Sequence, residues 1–368
     1  MTKQHGILAL LLIGASLPTY AEECKTVNER VDEGHSVFWD ADTFRFDNDM
    51  LDLFGNDDQN YTYGASWTWG KCKAIHHPLY AEWATDWLSL DAFSRGKTHN
   101  FEIALTNFTP DRLDLERPIY NDRPYASLLS ATSTVYGLHP SDDSISYGVS
   151  FTYGFLGLPL GEALQSTWHD VLRNTFNNKE PYHPQGWDNQ IGNGGELTAK
   201  IEYSIHKKYG SFIKDDSEIV GYASANLGYY TMASVGLLWH SNAQYISHGY
   251  DAFNLANPVG AGTESSVDQE PPPAFEMNTF EYFFGLRATA MGYNALLQCQ
   301  GGSTGSAVCL DEDDIERGIA EFTAGLSFPV GDKVYVVISW HARTNEHKLG
   351  GKYERDHTWG GFTLIWKD

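Results

Sequence analysis

The sequence predicts an all-β protein: a closed antiparallel transmembrane β-barrel of about twelve strands, with a short amphipathic helix in a long extracellular-side loop. Three observations predict it. Large apolar residues alternate with small or polar ones in many segments. After the first residues, no apolar run is long enough for a membrane helix, which needs about 20 residues. The connections between the alternating segments are very uneven in length.

Each alternating segment places one set of residues on one face, because the side-chain period of a strand is two. Tyr61, Tyr63, Ala65, Trp67 and Trp69 interleave with Thr62, Gly64, Ser66 and Thr68. Phe101, Ile103 and Leu105 interleave with Glu102, Ala104 and Thr106. The same pattern recurs from Phe280 to Thr289, from Ala320 to Phe328 and from Val334 to Arg343. A soluble sandwich also alternates. The barrel is favoured because the faces opposite the aromatics carry Gly, Ser, Thr and charges, which suits a crowded polar lumen. The apolar sets also end in Trp, Tyr or Phe, as interfacial girdles do. Closure removes strand edges and satisfies the backbone in lipid. The strands are expected near 42–51, 60–70, 98–108, 124–138, 143–155, 195–207, 212–227, 229–240, 276–293, 316–329, 333–344 and 357–367. Lys207–Gly210 and Pro329–Asp332 read as tight turns. Residues 71–97, 156–194, 241–275 and 294–315 read as long loops on the outward rim.

Composition narrows the function. The 368 residues carry 25 Lys+Arg against 48 Asp+Glu, a formal charge of −23, which argues against an extended nucleic-acid surface. With 11 Trp, 21 Tyr and 19 Phe, the chain is not an acidic disordered one. Residues 1–21 read as a secretory signal, with Lys3, an apolar run from Ile7 to Ala15 and the small Ala21 at its end. Residues 22–368 then form one barrel domain. Export permits disulfides. Cys299 and Cys309 would close a Gly/Ser-rich loop tip, and Cys24 with Cys72 is the remaining pairing.

One segment breaks the alternation. From Glu162 to Phe176, Leu164, Trp168, Val171, Leu172 and Thr175 follow helical spacing. Gln165 and His169 are four apart and share a face. A helix at a barrel rim could hold a reactive group against the wall. On spacing alone, His169 reads first as a polar-face residue without chemistry.

Several motifs in order resemble the lipid A 3'-O-deacylase family of outer-membrane enzymes. They are Phe46-Asp47-Asn48-Asp49, Asn60-Tyr61-Thr62-Tyr63-Gly64, Asn121-Asp122-Arg123-Pro124-Tyr125-Ala126, Tyr153-Gly154-Phe155-Leu156-Gly157-Leu158-Pro159, Gly161-Glu162-Ala163-Leu164-Gln165 with His169, and Gly186-Trp187-Asp188-Asn189-Gln190. The resemblance implies a twelve-stranded barrel that removes the 3' acyloxyacyl group of lipid A in the outer leaflet, by Ca2+-dependent ester hydrolysis with a helix-borne histidine as base. It implies His169 as base, Asp49 as a Ca2+ ligand with Glu180 as the nearest downstream carboxylate, and Asn48, Thr62 and Gln165 as positioning groups. Arg112 and Arg117 are the candidates for the family's basic residues. The terminal Trp366-Lys367-Asp368 departs from the aromatic end common in such barrels. Partners would be lipopolysaccharide and the membrane, with the chain monomeric.

The chemistry is consistent with these residue types. An imidazole with a pKa near 6.5 accepts a proton from water at neutral pH. Calcium takes carboxylate and carbonyl oxygens and polarises a carbonyl. Asp122 and Arg123 read as a structural ion pair. His240, His248 and His341 read as lumen or loop residues rather than metal ligands. The rivals are a pore or adhesin barrel and a phospholipase barrel.

Overall fold

Twelve antiparallel strands pair in sequence order, and β1 closes on β12. The computed structural model describes residues 41–51, 60–88, 95–172, 184–210, 217–241, 280–301, 306–331, 334–350 and 356–367. The strands are β1 (Ala41–Asn48), β2 (Asn60–Gly70), β3 (Arg95–Thr109), β4 (Ala126–His139), β5 (Asp142–Leu156), β6 (Glu196–Gly210), β7 (Glu218–Gly228), β8 (Tyr230–His240), β9 (Glu281–Asn294), β10 (Gly318–Val330), β11 (Val334–Arg343) and β12 (His357–Lys367). The helices are α1 (Lys71–Ile75), α2 (Glu82–Trp87), α3 (Leu160–Leu172) and α4 (Ala295–Gln298). The expected signal, Cys24 and His248 lie outside the described residues.

The two faces of the wall follow the alternation. Along β9, Glu281, Phe283, Arg287 and Thr289 are buried while Tyr282, Phe284, Leu286 and Ala288 are exposed. Charged residues therefore point into the lumen and apolar ones outward. The lumen is filled. Glu321 accepts hydrogen bonds from Arg287 and, at 2.6 Å, from Arg343. Arg343 also reaches Glu346 at 2.9 Å, and Glu346 lies 3.5 Å from Arg123. Lys200 bonds Glu202 at 3.0 Å. All of these charges are buried, and pairing is what makes their burial tolerable.

Four expectations need correction. Lys207–Gly210 is not a turn: β6 runs through it, pairing Gly210 with Glu218. The long connections do not share one rim. In an antiparallel barrel, successive connections alternate ends, so 71–94 and the β8–β9 link lie opposite the link carrying α3 and the β9–β10 link. Arg123 does not pair with Asp122. The Asp122 carboxylate accepts the backbone N–H groups of Asp111 and Arg123, both at 2.7 Å, while the Arg123 guanidinium turns to Glu346 and the Phe108 ring. Finally, Tyr61 does not share a face with Tyr63. A β-bulge between them turns Tyr61 inward, where its ring meets Phe108 and Trp359.

Cys299 and Cys309 form the expected disulfide. His341 lies in the lumen, bonded to Ser339 at 2.9 Å, and His240 faces Glu218 and Glu281, as read from the sequence.

Candidate active site beneath the rim helix

The outward face of β3 is apolar at Phe101, Ile103 and Leu105, then becomes polar at Asn107 and Thr109. The ladder aligns Asn48 with Tyr63, Tyr63 with Asn107, and Asn107 with Ser127, so one row of outward-facing residues crosses β1 to β4 at the α3 rim. Bare outward positions elsewhere are largely exposed; Leu286 is 62% exposed. Asn107, Thr109 and Ser127 are 0% exposed. They are roofed.

The roof is α3. The Tyr63 hydroxyl donates to the Gly161 carbonyl at 2.8 Å, fastening the first turn of the helix to β2. Gly161 has no side chain because there is no room for one. A Cβ there would lie 2.3 Å from Asn107 Oδ1, 2.8 Å from the Trp187 ring and 3.0 Å from Ser127 Oγ. One turn on, Gln165 is buried, and its Oε1 accepts the Trp187 indole N–H at 2.9 Å. Trp187 packs on Tyr125, with ring centroids 4.8 Å apart. Both Asn107 side-chain polar atoms, Ser127 Oγ and Gln165 Nε2 are buried without a hydrogen-bond partner among the described residues. Unmatched polar atoms in such a place are costly, and a ligand or water that met them would recover that cost.

The bulge in β2 completes the patch. Thr62 is the extra residue between Tyr61 and Tyr63. Strict alternation would send it into the lumen. Instead its hydroxyl meets the Thr109 hydroxyl at 2.7 Å, on the face that Asn107 occupies. Bulges re-aim side chains in this way beside functional sites. Asn48 Nδ2 donates to the Thr62 carbonyl at 2.9 Å, and Asp49 opens the short 3-10 turn that follows β1. That turn folds over Gly360 of β12, whose bare Cα admits the Leu51 backbone. Asp49 is buried.

The structure thus brings Asn48 and Thr62 together on the outer wall, sets Asp49 beside Asn48 in the turn that follows β1, and seats Gln165 on the helix above that wall. His169 lies on α3 four residues beyond Gln165; its side chain and Glu180 fall outside the described residues. Of the basic candidates, Arg112 pairs with exposed Asp114, and Arg117 lines a shallow recess with Pro118, Pro124 and Tyr125. Among the described residues, no three His, Cys, Asp or Glu gather as a metal cluster. The oxygens of Asp49, Asn48 and Thr62 are nevertheless hard donors of the kind calcium takes. Tyr63 and Trp187 stand in the quoted motifs without a role of their own, and Asn107, Thr109 and Ser127 are not singled out by the sequence. The signal for Asn107 and Thr109 was present, as polar residues in the outward register of an apolar strand.

The sequence profile described as outer membrane protein LpxR matches residues 7–367. The chain belongs to the LpxR family. It is a β-barrel of the Gram-negative outer membrane. Among solved structures, LpxR from Salmonella typhimurium matches with a TM-score of 0.63 at 15% identity, covering 89% of this chain and 100% of that one. This likeness shows that the fold is shared. The translocator domain of autotransporter NalP from Neisseria meningitidis aligns at a TM-score of 0.38 and 8% identity, over 95% of this chain and 96% of that one. The KdgM porin aligns at 0.37 and 5%, over 89% and 99%. A search of curated proteins by sequence gave no match.

Proposed function

We propose that this LpxR-family barrel hydrolyses the ester that holds the 3' acyloxyacyl group of lipid A, in a cleft between α3 and the outer wall. One observation carries this reading. Polar side chains with unmatched hydrogen-bonding atoms occupy lipid-facing positions, and a helix covers them. Such a cleft admits a lipid substrate sideways from the leaflet. A pore would need its polar surface in an open lumen, whereas here paired charges fill it.

His169, on the helix face that carries Gln165, takes a proton from water as that water attacks the ester carbonyl. It then returns the proton to the departing sugar oxygen as the acyl C–O bond breaks. The products are the freed acyloxyacyl acid and a 3' hydroxyl. Gln165, held by Trp187, keeps the helix at a fixed distance from the wall. Asn48 and Thr62 orient the substrate. Asp49 would hold a calcium ion, with Glu180 as a further ligand; when bound, that ion polarises the ester carbonyl.

Mass spectrometry of lipid A from cells with the protein should show loss of the 3' acyloxyacyl unit. His169→Ala, or a chelator added to isolated membranes, should leave lipid A intact while the barrel stays folded. Full activity in His169→Ala would remove the base assignment. Intact lipid A beside cleaved glycerophospholipid would favour a phospholipase.

A further inference from the structure

At the rim opposite α3, the β2–β3 connection does not hang free. It lies along the outside of the barrel. Ala81 N–H donates to Ser133 Oγ on β4 at 2.8 Å, and the Tyr153 hydroxyl of β5 donates to the Leu79 carbonyl at 2.6 Å. His77 stacks on Phe101, with centroids 4.2 Å apart, and Leu88 packs with Val135 and Val149. Phe101, Val135 and Val149 face outward, yet this cover buries them.

Helix α2 has three distinct sides. Ala84, Thr85 and Leu88 are buried against the wall. Trp83 and Trp87, four apart, form one flank and are 70% and 76% exposed. Glu82 and Asp86, also four apart, form the other exposed flank. Ile75 and Leu79 extend the apolar exposure along the same connection.

The height of the wall says what covers the tryptophans. On β9, outward apolar residues run from Phe280 to Ala290, which at about 3.3 Å per residue and a strand tilt near 40° gives roughly 25 Å of height, a full membrane band. On β3 the two covers meet the wall at Phe101 and Asn107, which leaves roughly 15 Å between them by the same measure, with Ile103 part-exposed and Leu105 buried in that interval. The missing height must be apolar, and the connection is what occupies it.

We propose that α1–α2 is an interfacial anchor whose Trp83/Trp87 flank lies in the phospholipid leaflet on the side away from α3, completing the apolar band beneath the site-bearing strands. Tryptophan suits that boundary, with its ring in the acyl region and its N–H toward the headgroups. The Glu82/Asp86 flank turns to water, and its charge favours a zwitterionic headgroup layer over an anionic one. The anchor fixes how deep β2 to β5 sit, and so the height at which the α3 cleft meets the opposite leaflet.

The test is tryptophan fluorescence of the full-length protein in phosphatidylcholine bilayers, read as wild type minus the Trp83→Phe/Trp87→Phe double variant. Heat-dependent gel mobility confirms that the variant barrel is folded. Lipid brominated near the carbonyl end of its chains should quench the difference emission at least twofold, and aqueous iodide should leave it unchanged. Quenching by iodide without quenching by bromolipid would overturn the proposal. So would insensitivity to both, which would place the two rings against protein.

Discussion

Gly161 is the residue on which the cleft is most sensitively built. Its missing side chain lets α3 approach the wall until its backbone meets Tyr63, Asn107 and Ser127. A methyl group there meets Asn107 Oδ1, the Trp187 ring and the Ser127 hydroxyl at once, and the Asn107 and Ser127 side chains are held on rigid strands. Gly161→Ala should therefore lift the first turn of the helix. Because reacting groups tolerate little misplacement, lipid A deacylation should fall about 10²-fold. The barrel ladder does not involve Gly161, so the melting temperature should change little. Mass spectrometry of lipid A beside a thermal scan reads both quantities; unchanged turnover would mean that the helix seat is irrelevant.

At the scale of elements, the two outer covers behave differently with pH. The α1–α2 cover carries His77, buried between Trp69 and Phe101, and burial pushes its pKa down to about 4. Its folded pKa lies below its unfolded value near 6.5, so the folded state binds fewer protons between those limits. The stability of this cover is complete above about pH 6.5 and declines as pH falls toward 4. Proteolysis or hydrogen exchange of residues 71–88 should accelerate across that window, and His77→Phe should flatten the response. A rate independent of pH in the wild type would contradict the burial argument. The strands themselves were legible in the sequence because alternation is a direct consequence of a wall with unlike faces. The rim helix was legible because its spacing differs from two. Which rim each long loop occupies follows only from the strand count, since length carries no sign. The bulge at Thr62 was hidden: nothing in Tyr61-Thr62-Tyr63 marks where the register slips, yet that slip decides whether Thr62 faces the lumen or the helix. His169 was singled out by resemblance and spacing, whereas Asn107 and Ser127 stand out only once the roof over them is visible.

For the whole molecule, the separation of inside from outside is the main consequence of the fold. The inside is a lattice of paired charges that hold the barrel shut and bridge the 110–125 and 344–356 connections through Arg123, Glu346, Arg343 and Glu321. Among the described residues, the outside is lipid-facing except where α3 and the turn after β1 cover the wall at one rim and α1–α2 covers it at the other. A soluble enzyme places its cleft in water; the proposed function places it here against a lipid leaflet, so a lipid substrate need not leave the membrane.

Adjacent residues on β3 allow that separation to be tested directly. Thr106 and Asn107 are both buried, but Thr106 points into the lumen and Asn107 toward α3. Mass spectrometry of lipid A from cells carrying Thr106→Val or Asn107→Leu compares the two sides of one wall. If lipid A is cleaved beneath the helix, Asn107→Leu leaves the 3' acyloxyacyl group in place and Thr106→Val releases it as the wild type does. Loss of cleavage in Thr106→Val with full cleavage in Asn107→Leu would put the chemistry inside the barrel and contradict the account.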